Sequence, residues 1–299
     1  MTTDASSLRV PDATHRFVTG RGVRLHVLEW GPAAAPRVIA LHGGSAHAHW
    51  WDFLAGALAD RYRVSAPDLR GHGDSGRPRS SSYRINDYVE DLAVLVNVLT
   101  EGQLALVGHS LGALVAAAYA ERFPNRLAAL VLVDHPLRVT EAGVRFMRRL
   151  QGLPHPMYLS RADALHRFRL LPADSTATHP VLQHVAQHAL RGLDDGRWTL
   201  KFDRESLAHF EPQDRVAALR RLACPILLVR GALSTILSAD RLAHLVATLP
   251  GSRGVEVPGA HHHVMLDNPP AFARVVGGFL DEVWGSPGAP ELRGVEPRE

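Results

Sequence analysis

Five consecutive residues, Gly108 to Gly112, carry the strongest chemical signal in the sequence. They read Gly-His-Ser-Leu-Gly, and they lie between an apolar run at 104–107 and a pattern typical of a helix. A serine on a sharp strand-to-helix turn is held in a strained conformation, and flanking glycines avoid clashes between the two elements. Its hydroxyl then lies at the helix N-terminus, where the dipole favours developing negative charge. Ser110 is therefore the candidate nucleophile.

A second glycine-rich turn follows an earlier apolar run and reads Leu-His-Gly-Gly-Ser over 41–45. Acyl transfer needs donors aimed at the oxyanion of the tetrahedral intermediate, and losing one costs about 3 to 4 kcal/mol. We predict that the backbone N–H groups of Gly44 and Leu111 form this oxyanion hole, with a simple glycine turn as the alternative. Residues near the two turns are further candidates for lining the substrate pocket: His42, Gly43, His109 and Trp51.

Three histidines, His261 to His263, follow the last apolar run in the stretch PGAHHHVMLDNP. At this point the sequence resembles the α/β-hydrolase fold superfamily, in particular its lid-bearing branch of esterases, lactonases and epoxide-hydrolase-like proteins. The resemblance spans about Arg21 to Trp284 and includes HGG, DLRGHGDSGRP, GHSLG, LVLVD and LLVRG. Such proteins usually read P-G-A-G-H here, which implies that His262 is the catalytic base. No metal site is expected at the three histidines, because consecutive loop residues cannot all face one ion.

The triad acid is missing from its commonest place. The superfamily usually has an aspartate in the loop after the strand Ile226–Val229, where this sequence has Thr235. A hydroxyl can accept a hydrogen bond from the imidazole, but it cannot stabilise the imidazolium by charge. Asp134 ends the neighbouring apolar run, and some relatives, notably a subset of haloalkane dehalogenases, supply the acid from that position. We predict that Asp134 orients His262.

Alternative roles remain open for these residues. Asp134 could simply cap the exit of its strand, in which case the site would be a dyad helped by water or a weak, non-catalytic site. Gly71 to Gly76 spells G-x-G-x-x-G, but a dinucleotide fingerprint runs directly into a helix, and Arg-Pro-Arg-Ser follows here. The resemblance implies a loop of this form, and no metal or organic cofactor is expected.

Short apolar runs alternate with amphipathic segments from Arg37 onward, a pattern typical of a parallel sheet covered by helices on both faces. The resemblance implies an α/β-hydrolase fold: a mostly parallel eight-stranded sheet with a helical cap inserted after the sixth strand. The predicted division is a core α/β domain over 1–135, a helical cap (lid) over 136–214, the second part of the core over 215–285 and a disordered tail over 286–299.

The predicted function is a serine hydrolase that cleaves a carboxylic ester or a related acyl bond, such as a lactone or thioester. Epoxide hydrolases and haloalkane dehalogenases of this fold need a carboxylate nucleophile, so Ser110 argues against both. A cofactor-free oxygenase, a C–C hydrolase and a receptor-like ligand-binding protein with weak hydrolysis are the alternatives. Several side chains in the predicted cap indicate an apolar acyl pocket: Phe146, Met147, Leu150, Met157 and Tyr158.

The amino-acid composition narrows the class of protein and the partners that it could bind. A hydrophobic content of 46% and a charged content of 21% are those of a globular protein. No signal peptide is visible, and no apolar run approaches the roughly 20 residues that cross a bilayer. The net charge of +3 comes without a basic block, which argues against a nucleic-acid partner. We expect a cytoplasmic monomer or homodimer that acts on a small-molecule substrate and binds neither nucleic acid nor membrane.

Overall fold

The computed structural model of the chain describes residues 10–79 and 82–285. The strands, in chain order, are β1 (Thr14–Thr19), β2 (Arg24–Trp30), β3 (Arg37–Leu41), β4 (Arg63–Pro67), β5 (Leu104–His109), β6 (Leu127–Val133), β7 (Arg138–Val139), β8 (Met157–Tyr158), β9 (Leu190–Gly192), β10 (Trp198–Leu200), β11 (Gln213–Asp214), β12 (Ile226–Gly231) and β13 (Ser252–Val257). The α-helices are α1 (Asp52–Leu58), α2 (Ile85–Leu99), α3 (Leu111–Arg122), α4 (Glu141–Gln151), α5 (Arg161–Arg167), α6 (His179–His188), α7 (Val216–Leu219), α8 (Ala239–Thr248), α9 (Val264–Asp267) and α10 (Pro269–Trp284). Short 3-10 helices lie at Ala48–Trp51, Pro124–Arg126 and Arg204–Leu207.

Eight strands form the main sheet, in the order β1-β2-β4-β3-β5-β6-β12-β13. Strand β2 runs antiparallel to its two neighbours, and every other neighbouring pair is parallel. The predicted fold class is therefore confirmed. Because β5, β6 and β12 are parallel neighbours, the loops that follow them meet at one edge of the sheet, which is where ligands bind in open α/β sheets.

Side chains of the central strands alternate between two hydrophobic cores, as a pleated strand with both faces buried requires. In β5, Leu104 and Leu106 belong to the core under α2, α3 and α8, whereas Ala105 and Val107 belong to the core under α1 and α10. The strands therefore read as continuous apolar runs in the sequence. This arrangement fixes the sheet edge on which the functional loops are built.

The chain leaves the main sheet after β6 and returns at β12. Within this segment, the predicted cap over 136–214, which we call the insertion, carries α4, α5 and α6. It also carries short strands that the sequence pattern did not indicate: β8, β9 and β10 form one small sheet, and β7 pairs with β11. Strands of two or three residues are too short to show a period. Ser160 accepts a hydrogen bond from the N–H of Asp163, as expected of the cap of α5. The predicted tail, 286–299, lies outside the described residues.

Among the helices described over 10–79 and 82–285, none is both long and apolar enough to cross a membrane.

Candidate active site

Ser110 lies on the turn between β5 and α3, with φ 52° and ψ −114°. This left-handed backbone is unusual for a residue other than glycine, and it is the strained turn that the sequence predicted. A Cβ at Gly108 would come within 2.4 Å of the Gly112 carbonyl oxygen, and one at Gly112 would come within 2.2 Å of the Leu41 carbonyl oxygen. Neither backbone atom can move aside easily, so both glycines are required by close approach.

Asp134 follows β6, is fully buried and adopts φ 48°. Its Oδ2 lies 2.7 Å from Nδ1 of His262. Because the carboxylate can only accept, Nδ1 of His262 carries the hydrogen, and Nε2 is left as the acceptor. The sequence placed these residues 128 positions apart, and the structure brings them into direct contact.

The carboxylate of Asp134 is held by two further donors from the end of β12. The backbone N–H of Gly231 donates to Oδ1 at 3.1 Å, and the Ser234 hydroxyl donates to Oδ2 at 2.6 Å. Thr235, which occupies the usual position of the acid, is exposed to solvent. Sequence reasoning missed Ser234, and the only available signal was its position one residue before the expected acid.

Gly44 and Leu111 both line the cavity that contains Ser110 and His262. Neither backbone N–H donates a hydrogen bond to another described residue. A Cβ at Gly44 would meet no heavy atom within 4 Å, so this part of the loop faces open space. Both donors are consequently available to an oxygen atom bound beside Ser110.

His42 holds the Gly44 loop from behind. Its Nδ1 donates to the Gly43 carbonyl oxygen at 2.7 Å, and its Nε2 accepts from the N–H of Leu69 at 2.9 Å. Burial lowers the pKa of His42, so the neutral tautomer that makes both bonds is favoured. The histidine is a support for the loop and does not reach the cavity.

The pocket-lining prediction for four residues needs correction. The residues that line the cavity do not include His42, Gly43, His109 or Trp51. Trp51 is fully buried in the core beside α1. His109 donates from Nε2 to the His262 carbonyl oxygen at 2.9 Å, and burial together with the nearby His262 holds its pKa well below the usual range. The side chains of His42, His109 and Trp51 are buried in the protein behind the loops that carry Gly44 and Ser110.

The cavity has a volume of about 370 Å³ and lies between the sheet edge and the insertion. Its lining residues are Gly44, Ser45, Ser110, Leu111, His135, Pro136, Arg138, Val139, Thr140, Gly143, Phe146, Met147, Leu150, Leu171, Pro172, Leu207, Phe210, Ile236 and His262. Helix α4 supplies the apolar wall that was expected from its sequence. The same expectation was wrong for Met157 and Tyr158: Met157 is 38% exposed, and Tyr158 packs in a small cluster with Ala164 and Leu190.

Two other sequence motifs have structural explanations. The G-x-G-x-x-G segment is a turn with Gly71 at φ 74° and Gly73 at φ 53°, and the next helix begins only at Ile85. Two groups of His and Asp side chains that could hold a metal ion do occur among the described residues, but their members do not line the Ser110 cavity. In the run of three histidines, the N–H of His261 donates to Asp267, and His263 donates to the Pro172 carbonyl oxygen.

Comparison with known protein families agrees with the geometry of the strained turn at Ser110 and of the main sheet. The family model of the alpha/beta hydrolase fold matches residues 36–269. The chain belongs to this family. It is 31% identical over 274 residues to 2-(acetamidomethylene)succinate hydrolase of Mesorhizobium japonicum, a match that covers 90% of this chain and 95% of that protein.

An esterase of Mycobacterium tuberculosis is 32% identical over 263 residues, covering 86% of each chain. Among solved structures, the crystal structure of E-2-(acetamidomethylene)succinate hydrolase superposes with a TM-score of 0.78 at 28% identity. That superposition covers 90% of this chain and 100% of the other. The similarity therefore extends over the main sheet and the insertion together.

Proposed function

We propose that this α/β-hydrolase is a serine hydrolase that cleaves a carboxylic ester or a related acyl bond through Ser110, His262 and Asp134. The observation that carries the proposal is the 2.7 Å contact between Asp134 and His262, at a cavity that both His262 and Ser110 line. The hydrolase and esterase among the relatives support the same class of reaction.

In the proposed mechanism, Nε2 of His262 accepts the Ser110 proton as Oγ attacks the acyl carbon. The Asp134 carboxylate stabilises the resulting imidazolium, while the N–H groups of Gly44 and Leu111 bind the oxyanion. His262 then gives its proton to the leaving alcohol oxygen, which leaves an acyl-enzyme. Water attacks the acyl carbon with His262 again as base, and the acid departs as Ser110 recovers its proton.

The cavity favours a small substrate whose acyl group is largely apolar. Phe146, Met147 and Leu150 of α4 form one wall, and Leu171 and Phe210 add to the apolar surface. A lactone or thioester fits the same chemistry, because each presents an acyl carbon and a leaving group that His262 can protonate.

Arg138 is the one arginine or lysine among the described residues that line the cavity. One relative is named for hydrolysis of a substituted succinate, a dicarboxylate. We therefore include half-esters of dicarboxylic acids in the substrate class, with Arg138 facing the free carboxylate.

Labelling with a fluorophosphonate probe tests the proposal directly. Intact mass should show one adduct per wild-type chain and none on Ser110→Ala, because only an activated serine attacks the phosphorus. Hydrolysis of p-nitrophenyl esters and of a dicarboxylate half-ester should then be measured on the same preparations. A folded wild-type protein that neither labels nor hydrolyses these substrates would exclude the proposal and favour the ligand-binding alternative.

A further inference from the structure

Four side chains with metal-binding donors meet where the insertion packs on the core. His49 lies in the 3-10 helix before α1, Asp52 is the first residue of α1, and His184 and His188 lie four residues apart on α6. One donor atom from each residue lies within 4.8 Å of the donor atoms of the other three. Residues at i and i+4 share a helix face, so α6 presents the imidazoles of His184 and His188 to the same point.

The hydrogen bonds of this cluster do not use all of its donors and acceptors. His49 Nδ1 and His184 Nε2 both bond to the same Asp52 oxygen, Oδ2, at 2.9 and 2.7 Å. The other oxygen, Oδ1, has no hydrogen-bond partner among the described residues. Water cannot readily supply one, because Asp52 is only 3% exposed. The His188 ring stacks on the His49 ring with centroids 3.5 Å apart. A third imidazole therefore lies beside the Asp52 carboxylate without a hydrogen bond to it in the described part of the chain.

A second histidine and aspartate group, around Asp68, provides an internal contrast. Asp68 Oδ1 accepts from the N–H of Ala48, and Oδ2 accepts from His26 and from the N–H of Asp74. Both oxygens are therefore satisfied within the protein, and that group is explained as a structural network. The Asp52 cluster differs because a buried carboxylate oxygen is unpaired, which normally costs about 1 to 3 kcal/mol or more.

We propose that His49, Asp52, His184 and His188 form a binding site for a divalent transition metal ion of the zinc type. Three imidazoles and one carboxylate are a ligand set that zinc accepts with tetrahedral geometry. Bond lengths of about 2.0 to 2.1 Å place tetrahedral ligands about 3.3 Å apart. The donor atoms, which lie within 4.8 Å of one another, must therefore move closer by side-chain rotation, and the His188 ring must turn out of its stack on His49. Binding replaces the two N–H···O contacts with metal bonds.

With four protein ligands the site is closed, as structural zinc sites are. Its ligands come from the core (His49 and Asp52) and from the insertion (His184 and His188). The ion therefore fastens α6 to the core beside an existing contact, the bond from His47 Nε2 to the Val185 carbonyl oxygen at 3.0 Å. The expected consequence is greater stability, independent of the chemistry at Ser110.

Thermal unfolding of the full chain after chelation, with and without Zn²⁺, tests this site. At a Zn²⁺ concentration about 100 times Kd, we expect Tm to rise by roughly 5 °C. Calorimetric titration should give one ion per chain, and Co²⁺ should show the visible absorption of a tetrahedral site. His188→Gln and His184→Gln should weaken Zn²⁺ binding at least about tenfold and remove the Tm shift.

His179→Gln is the matched control, because this exposed histidine lies on the same helix outside the cluster. It should keep both the affinity and the Tm shift of the wild type. Chelated variants should unfold cooperatively, which shows that they are folded. The proposal is overturned if Zn²⁺ and Co²⁺ do not bind, or if binding and the Tm shift persist in both His188→Gln and His184→Gln, since the ion would then lie elsewhere.

Discussion

The ends of β6 and β12 lie side by side in the sheet, yet they contribute different chemistry to His262. The end of β6 supplies the buried carboxylate of Asp134, whereas the end of β12 supplies only neutral donors from Gly231 and Ser234. Because the two strands are parallel neighbours, the loops that follow them meet at the carboxylate of Asp134. Only the β6 end contacts Nδ1 of His262 directly, and the β12 end acts on it through Asp134.

The end of β12, which carries no carboxylate, still contributes to the site by holding Asp134. Ser234 and Gly231 hold both oxygens of Asp134, which fixes the carboxylate against the imidazole. A hydrogen bond to a charged group contributes about 1.5 to 3 kcal/mol. The end of β12 and its loop therefore support the carboxylate of Asp134, although the loop over 232–238 carries no carboxylate of its own.

The largest expected effect comes from removing the charge at the β6 end. Asp134→Asn should lower kcat by about 10⁴, because the amide can donate to Nδ1 and so favours the wrong imidazole tautomer. The measurement is kcat on a p-nitrophenyl ester. Asp240→Asn, at an exposed aspartate near the β12 loop, should stay close to wild type. A loss of only a few-fold for Asp134→Asn would assign the acid elsewhere.

Moving the carboxylate from the β6 end to the β12 end tests whether either strand end can supply the acid. Asp134→Ser alone should lose activity to a similar extent. Combining it with Ser234→Asp should restore at least about tenfold, because the Ser234 hydroxyl lies 2.6 Å from Oδ2 of Asp134, the oxygen that bonds to Nδ1 of His262. The double variant and Asp134→Ser should be compared by kcat and by the rate of fluorophosphonate labelling. Equal rates for the two would mean that only the β6 end can supply the acid.

A smaller effect on kcat is expected from removing the Ser234 hydroxyl, a neutral donor to Asp134. Ser234→Ala removes one donor to the Asp134 carboxylate, and we expect kcat to fall by about tenfold. Thr235→Ala changes the exposed neighbour and should remain within about twofold of wild type. Steady-state kinetics on both variants, with matched Tm values, provide the check. If the two substitutions had the same effect, Ser234 would have no specific role.

The smallest expected effect is on the free energy of unfolding, and it concerns His263 in the loop after a third strand, β13. Burial and the adjacent His262 lower the pKa of His263 from 6.5 to about 3. Between these values the folded state binds fewer protons than the unfolded state, so the free energy of unfolding falls as pH falls. His263→Gln should make this fall shallower, by at most about 1.4 kcal/mol per pH unit. Urea unfolding at pH 7 and pH 5 measures it; an unchanged slope would show that His263 does not contribute.

Local patterns were sufficient for much of the fold. The apolar runs from Arg37 onward predicted the parallel sheet, and the Gly-His-Ser-Leu-Gly motif placed the strained turn at Ser110. The division of residues 48–58 into a 3-10 turn and the short α1 was not predicted. That region has apolar residues around most of its circumference, so periodicity gives no clear helix boundary.

The parts that the sequence could not give depend on distant partners. His42 was a candidate pocket residue by its position, but its bond to Leu69 turns it into the interior. The support of Asp134 by Ser234 spans 100 positions and has no local pattern. The catalytic role of Asp134 itself stays a prediction, although topology now explains how its carboxylate reaches His262.

Four described residues other than glycine have a positive φ, and all of them lie in the loops at one end of the sheet. They are Ser45, Ser110, Asp134 and Leu137. Each such conformation costs on the order of 1 to 3 kcal/mol, and two of the four residues, Ser45 and Ser110, line the cavity. Glycine at Ser110 or Asp134 would relieve the strain and remove a side chain that the proposed reaction uses. A search for heat-resistant variants that ignored activity would therefore tend to select against the site itself.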